Sequence, residues 1–276
     1  EGLVSGVREH PMVFALAGGK NQIAELCKRL TAYGFGDCEI AVGERLSYPE
    51  ERIFQGNVRE FCELETDSLA VFLIWNRRAE RREVVCGIPD EQFCRGKVPM
   101  TKEEVRSISI SKLRLWKDAV IYDVGAGTGS VAVEMALQAP DGVVYAVEKN
   151  EEAVALLGEN RVAFAVDHLK IVHGKAPEAL ENLPAPTHVF LGGSSGNLKE
   201  ILDIVRKKNK AVRVVINAIT LETVTEALTY LKEQEISGAE VVSVQTARAR
   251  EVGRYHMMTG QNPVYVISFG GERQER

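Results

Sequence analysis

The sequence predicts an α/β protein whose last two-thirds form a mainly parallel sheet with helices on both faces, preceded by a thinner α/β unit. Three observations predict it. From Val120 onward, short apolar runs alternate with segments of helical period. The first of these runs breaks into Gly125-Ala126-Gly127-Thr128-Gly129 before the next helical segment begins. A stretch from Arg77 to Arg82, with four arginines and one glutamate in six residues, separates this region from what precedes it. The expected organisation is a unit over 1–76, a charged linker over 77–85 and a larger unit over 86–276.

Composition narrows the function. With 276 residues, of which 45% are hydrophobic, the chain has enough apolar material for one large or two ordinary cores. No apolar run approaches the roughly 20 residues of a membrane span, and no basic start leads into an apolar signal stretch. A cytoplasmic protein with no membrane partner is therefore expected. A net charge of −5 argues against nucleic acid as the main partner and favours a small molecule. Cys27, Cys38, Cys62, Cys86 and Cys94 are odd in number and never spaced C-x-x-C, which fits idle reduced thiols and no metal site.

In the first unit, Val13 to Leu16 reads as a strand. The turn Ala17-Gly18-Gly19-Lys20-Asn21 follows, then a helix through Ile23, Leu26, Cys27 and Leu30. The turn lacks the gap and the Gly-Lys-Ser/Thr ending of a phosphate loop. Cys38 to Val42 and Leu69 to Trp75 are two further strands. The arginine-rich stretch reads as a solvated linker, with a docking strip for an acidic substrate as the alternative.

In the second unit, Thr101 followed by Glu104 has the spacing of a capping box, opening a helix that carries Val105, Ile108 and Leu113 inward. Strands follow at Val120–Val124, Val143–Val147, Leu169–Val172, His188–Leu191 and Val212–Ile216. Helices lie between them at Val131–Leu137, Ala153–Val166, Pro177–Leu183 and Leu198–Val205, with Leu221–Leu231 after the last. Two final strands, near Val241–Val244 and Val264–Phe269, have no helical pattern between them and suggest an antiparallel edge pair. A ligand is expected at the carboxyl ends of the parallel strands.

The glycine loop carries the chemistry. Glycines allow a sharp turn and a close ligand approach, with free N–H groups expected at the helix start. Glu148 stands 19 residues beyond Gly129, where an acidic side chain can accept hydrogen bonds from ribose hydroxyls. The alternate-glycine spacing is tighter than the dinucleotide G-x-G-x-x-G fingerprint. With Asp123 before it, the loop resembles the S-adenosylmethionine loop of Rossmann-like class I methyltransferases. A nicotinamide or flavin site and a ligand-free turn remain as alternatives. Strand His188–Leu191 leads into Gly192-Gly193-Ser194-Ser195-Gly196 and lacks the Asn/Asp-Pro-Pro-Tyr/Phe ending of methyltransferases acting on amino groups.

Further motifs carry a more specific resemblance. They are Pro99-x-Thr101-Lys102-x-Glu104-Val105-Arg106, Gly174-x-Ala176-Pro177-Glu178-Ala179-Leu180, Gly192-Gly193-Ser194, Leu221-Glu222-Thr223 and Ala247-Arg248-x-Arg250-x-x-x-Arg254-x-x-Met257-Met258. With the glycine loop, they make residues 86 to 270 resemble the C15-methylating, decarboxylating enzymes of cobalamin synthesis. Gly43-Glu44-Arg45-Leu46 and Pro49-Glu50-Glu51-Arg52-Ile53 resemble the second half of the tetrapyrrole methylases that act at C5 of precorrin-6. The first half of that fold is then missing. Together the two resemble the fused precorrin-6Y C5,15-methyltransferase (decarboxylating) family, a partial tetrapyrrole methylase domain followed by a Rossmann-like domain.

The resemblance implies S-adenosyl-L-methionine as cofactor, held by Thr101, by Gly125, Ala126, Gly127, Thr128 and Gly129, by Glu148 in place of the more usual aspartate, and by Ala176. It implies a corrinoid substrate of the precorrin type and a homo-oligomer, a tetramer in the family. Corrin precursors carry many carboxylates, which guanidinium groups bind well. Arg106, Arg248, Arg250 and Arg254 are therefore the substrate-binding candidates, against surface ion pairs as the alternative. His256 is a candidate proton donor, although a lone histidine beside two methionines also suits a structural role. No catalytic residue is assigned. Rival functions are another Rossmann-like methyltransferase acting on RNA or protein, and a dinucleotide-binding domain.

Overall fold

The computed structural model describes residues 2–18, 22–80 and 86–271. Gly19, Lys20 and Asn21 of the predicted turn, and residues 81–85 of the expected linker, lie outside the described residues. Contacts divide the chain into two compact units, Glu1–Val84 with Arg161–Asp167, and Val85–Asn160 with His168–Arg276.

The first unit runs α1 (Leu3–Glu9), β1 (Met12–Ala17), α2 (Gln22–Ala32), β2 (Glu39–Glu44), β3 (Arg52–Asn57) and β4 (Ala70–Trp75). Its four strands form an antiparallel sheet in the order β1-β4-β2-β3. Ile23, Cys27 and Leu30 recur at helical spacing on α2 and belong to one buried core with Ile40, Val42, Phe72 and Ile74 from alternate positions of the strands. Two elements escape the sequence reading. Helix α1 fully buries only Val4 and Val7, and its other residues are half-buried, so its apolar stripe is too short to show a helical period. Strand β3 is an edge strand with no fully buried residue, so it lacks a clean apolar alternation.

The second unit runs α3 (Glu103–Leu113), β5 (Val120–Val124), α4 (Ser130–Gln138), β6 (Val143–Glu148), α5 (Glu151–Ala163), β7 (Leu169–His173), β8 (His188–Leu191), α6 (Leu198–Lys208), β9 (Arg213–Ala218), α7 (Leu221–Glu233), β10 (Glu240–Val244), β11 (Ala247–Val252), β12 (Tyr255–Gly260) and β13 (Val264–Phe269). Seven strands make one sheet in the order β10-β13-β9-β8-β5-β6-β7. Only β13 runs against its neighbours, β9 and β10. β8 is buried along its whole length, as a strand covered on both faces must be. The strand order reverses direction at β5, which has β6 on one side and β8 on the other. That is a topological switch point, where the loops leaving adjacent strands part and open a crevice.

The expected edge pair exists, with β13 inserted between β10 and β9. A hairpin, β11 and β12, lies between the two strands as a separate two-stranded sheet. It was not predicted. All but one of its strand residues are exposed, and Arg248 is the exception, so no buried face left a pattern to read. The stretch Pro177–Leu183, expected as a short helix, contains only a single 3-10 turn at Glu178–Leu180. Among the described residues no helix is long and apolar enough to cross a membrane.

Candidate active site

A cleft of about 610 Å³ opens at the carboxyl ends of the parallel strands, within the usual range for small-molecule pockets. Its floor is the glycine loop after β5, and its sides carry Glu148 after β6, Gly174 to Ala176 after β7, Gly192 to Ser195 after β8 and Asn217 at the end of β9. The segment Lys97 to Lys102, just before α3, forms a further wall.

The glycines are required by position. Gly125, Gly127 and Gly129 all hold positive φ, at 73°, 55° and 79°. A Cβ on Gly125 would lie 2.7 Å from the carbonyl oxygen of Gly193, and one on Gly127 would lie 3.2 Å from that of Pro99. Gly129 faces the other way: a Cβ there would lie 2.0 Å from Leu157 of α5. The cleft is lined by Thr101, Gly125, Ala126, Gly127, Thr128, Glu148 and Ala176, but not by Gly129, whose role is to let α4 and α5 approach.

Of the free amides expected of this loop, four are engaged within the protein. Gly125 and Ala126 N–H both donate to the Val147 carbonyl at 3.0 and 3.1 Å, and Gly129 N–H donates to Ala126 at 2.8 Å. Gly127 N–H donates to Glu148 Oε2 at 2.9 Å. Glu148 Oε1 also accepts from the N–H groups of Lys149 and Asn150. Three amides thus hold the Glu148 carboxylate in place and leave acceptor capacity for a ligand hydroxyl, since a carboxylate offers about four lone-pair sites. Directly before the loop, Asp123 is fully buried, and among the described residues only the Ala132 N–H stands near its carboxylate, too poorly placed for a regular hydrogen bond. Burial, with the Glu148 charge adding to it, pushes its carboxyl up to about 8.

Two buried polar side chains that the sequence reading missed anchor the segment leading into this wall. Glu134 of α4 accepts from the N–H groups of Gly87 and Ile88 at 3.0 and 2.9 Å. Asn160 of α5 exchanges hydrogen bonds with both backbone groups of Cys94 and donates to the Thr128 carbonyl, each at 2.8 Å. A helix residue reaching a loop 46 or 66 residues away leaves no local signal.

Arg106 joins this framework and is not a substrate group. It is fully buried, donates to Glu134 at 2.5 Å, to Asp90 at 3.2 Å, and to the carbonyls of Thr101 and Ile88, and lies over the Phe93 ring at 4.8 Å. Its donors face protein on every side, so a ligand carboxylate has no access. The capping box is likewise absent. Lys102 is the N-cap residue, the Asp90 carboxylate accepts from Glu103 N–H at 3.1 Å, and Glu104 instead binds Arg248 at 2.9 Å. Arg248 further approaches Glu103 and Asp90 at 3.7 and 3.9 Å, tying the β11–β12 hairpin to the start of α3. Arg250, Arg254 and His256 sit on that hairpin, exposed and away from the cleft lining. His256 lies 3.5 Å from Glu251, and Arg254 lies over Tyr255. Among the described residues no cluster of metal-binding side chains occurs.

Comparison with known proteins agrees with this geometry. The family model described as a precorrin methyltransferase domain matches residues 92–269. A probable cobalt-precorrin-6B C(15)-methyltransferase (decarboxylating) of Pyrobaculum calidifontis is 44% identical over 185 residues, covering 66% of this chain and 94% of that protein. The corresponding Salmonella typhimurium protein is 39% identical over 181 residues, covering 65% and 93%. The crystal structure of a precorrin-6Y C5,15-methyltransferase from Geobacter metallireducens superposes with a TM-score of 0.64 at 38% identity, covering 68% of this chain and 98% of that one. Through a match that takes in well over half its length, the chain belongs to the precorrin methyltransferase domain family.

Proposed function

We propose that the second unit transfers a methyl group from S-adenosylmethionine to C15 of a precorrin-6B-type corrinoid and removes the acetate side chain of ring C as carbon dioxide. The observation that carries the reading is the glycine loop and Glu148 meeting at the switch point of a sheet whose relatives bear that name. The donor fits the residues present. Gly125 and Gly127 let the loop pack against Gly193 and Pro99 at the edge of the cleft, and the Glu148 carboxylate, already steadied by three amides, is available to a ribose diol.

The donor supplies an electrophilic sulfonium methyl. That methyl would be open to displacement by the C15 carbon of the electron-rich macrocycle, a C–C bond replacing the methyl–sulfur bond and the donor departing as a neutral thioether. Loss of carbon dioxide returns an electron pair to the conjugated ring, which then takes up one proton. The chain's contribution is alignment and exclusion of water, since holding reactants near 3 Å in line supplies much of the rate. The wall from Pro99 to Thr101 packs against the glycine loop, and Arg106, itself held by Glu134, donates to the Thr101 carbonyl. On this reading Arg250 and Arg254 meet outer carboxylates of the substrate, and the working form is a homo-oligomer in the cytoplasm.

Calorimetry with S-adenosylhomocysteine tests the donor site, with micromolar-range binding expected and no heat counting against it. Incubation with a precorrin-6B-type substrate and a labelled methyl donor tests the reaction. One methyl gained together with one carbon dioxide released supports it, and an unchanged substrate mass overturns it.

A further inference from the structure

We propose that the Lys149 ammonium is a carboxylate-binding group of the cleft, exchanging the Ser195 hydroxyl it now holds for a carboxylate of the bound reactants. The inference rests on the donor-site reading and adds a residue to it.

Lys149 directly follows β6, and Ser195 lies in the loop after β8. These strands flank β5 on opposite sides. Lys149 Nζ donates to Ser195 Oγ at 3.0 Å, so the lysine side chain spans the carboxyl end of β5, where the glycine loop lies. Both residues line the cleft. Among the described residues Lys149 has no carboxylate within ion-pairing distance, and the hydroxyl is its side chain's only hydrogen-bond partner.

The loop beneath offers an anion few donors of its own. Four of its five N–H groups, those of Gly125, Ala126, Gly127 and Gly129, are engaged within the protein. An anion seated on the loop therefore gains from a donor elsewhere, and Lys149 is the cation placed across it. Its present partner is a neutral acceptor. The ammonium's bond to the hydroxyl is already charge-assisted on the donor side; a carboxylate adds the attraction of an opposite charge, and so displaces the hydroxyl. The surroundings favour the same sign of charge. Four lysines, Lys97, Lys102, Lys149 and Lys175, line the cleft against two glutamates, Glu148 and Glu152, in a chain whose net charge is −5. The Glu148 carboxylate, which would otherwise compete, is held by three amides.

Two reactants offer a carboxylate: the amino-acid tail of the methyl donor, and the tetrapyrrole with its acid side chains. The experiment separates them. Lys149→Met and Ser195→Ala are compared with the full wild-type chain in three measurements: calorimetry with S-adenosylhomocysteine, calorimetry with methylthioadenosine, which lacks the amino-acid tail, and steady-state kinetics with a precorrin-6B-type substrate. If the donor tail is bound, Lys149→Met weakens S-adenosylhomocysteine by about tenfold to a hundredfold and leaves methylthioadenosine within about twofold. If a substrate carboxylate is bound, both nucleosides are unchanged and KM for the tetrapyrrole rises by a similar factor while kcat is retained. In either case Ser195→Ala leaves affinity equal to wild type or tighter, because the lysine loses its competing partner. Equal weakening of both nucleosides, or no change in any of the three, overturns the proposal. A wild type that binds neither nucleoside removes the donor site itself, and that failure is visible before any variant is made.

Discussion

Replacing Glu134 by Gln tests whether the cleft wall hangs on one buried carboxylate. Glu134 is 1% exposed and accepts from Gly87 N–H, Ile88 N–H and the Arg106 guanidinium, which is itself fully buried. Gln keeps the shape and one acceptor oxygen, but its NH₂ group must face either the Gly87 donor or the other two. Arg106 is then left with Asp90 as its one acidic partner. A buried donor without a partner costs about 1–3 kcal/mol, and breaking a buried ion pair by removing one side costs about 3–5 kcal/mol. Because Gln retains part of the network, the expected loss is about 2–4 kcal/mol. For a unit of this size that corresponds to a fall in Tm of roughly 4–16 °C by calorimetry. S-adenosylhomocysteine affinity falls with it, since the same segment continues into Val98 to Thr101. Making both Arg106→Met and Glu134→Leu does not rescue stability, because Gly87 and Ile88 still lack an acceptor. A Tm within about 1 °C of wild type for Glu134→Gln would show that the wall is held by something else.

Three further outcomes are expected. Gly127→Val places a β-branched residue at a φ of 55° with its Cβ 3.2 Å from the Pro99 carbonyl, and should weaken S-adenosylhomocysteine more than about a hundredfold; an unaltered isotherm would contradict the close-approach argument. Asp123, raised to about 8 by burial, keeps its proton in the folded chain between pH values of about 4 and 8 while the unfolded chain has lost it, so stability falls as pH rises through that window. His188, which burial lowers to about 4, acts in the opposite sense below about 6.5, where the unfolded chain alone gains a proton. The clean window is therefore pH about 6.5 to 8, where Tm should decline in wild type and stay level in Asp123→Asn. Arg250→Ala and Arg254→Ala should raise KM for the tetrapyrrole and leave S-adenosylhomocysteine affinity untouched, because both side chains stand on the exposed hairpin; an unchanged KM would remove them from the substrate surface.

The order of strands and helices in the second unit was legible from Val120 onward because each element buries a face, and burial writes a period into the chain. His188–Leu191 was read to the residue for that reason. The elements that escaped, α1, β3 and the β11–β12 hairpin, fully bury two residues at most and so carry no period. The same limit governed the site. The glycines and Glu148 were legible because a positive φ and a carboxylate at fixed spacing have few substitutes. Only the fold decided what each polar group faces. Arg106 was chosen as a guanidinium suited to carboxylates, and it finds them in Glu134 and Asp90 of its own chain. Three of the loop amides expected to await a ligand, those of Gly125, Ala126 and Gly127, are used by β6 and Glu148. Local sequence determines which backbone shapes are possible and which side chains carry charge. The partner of a buried charge is set by residues tens of positions away, which only the assembled sheet brings within reach.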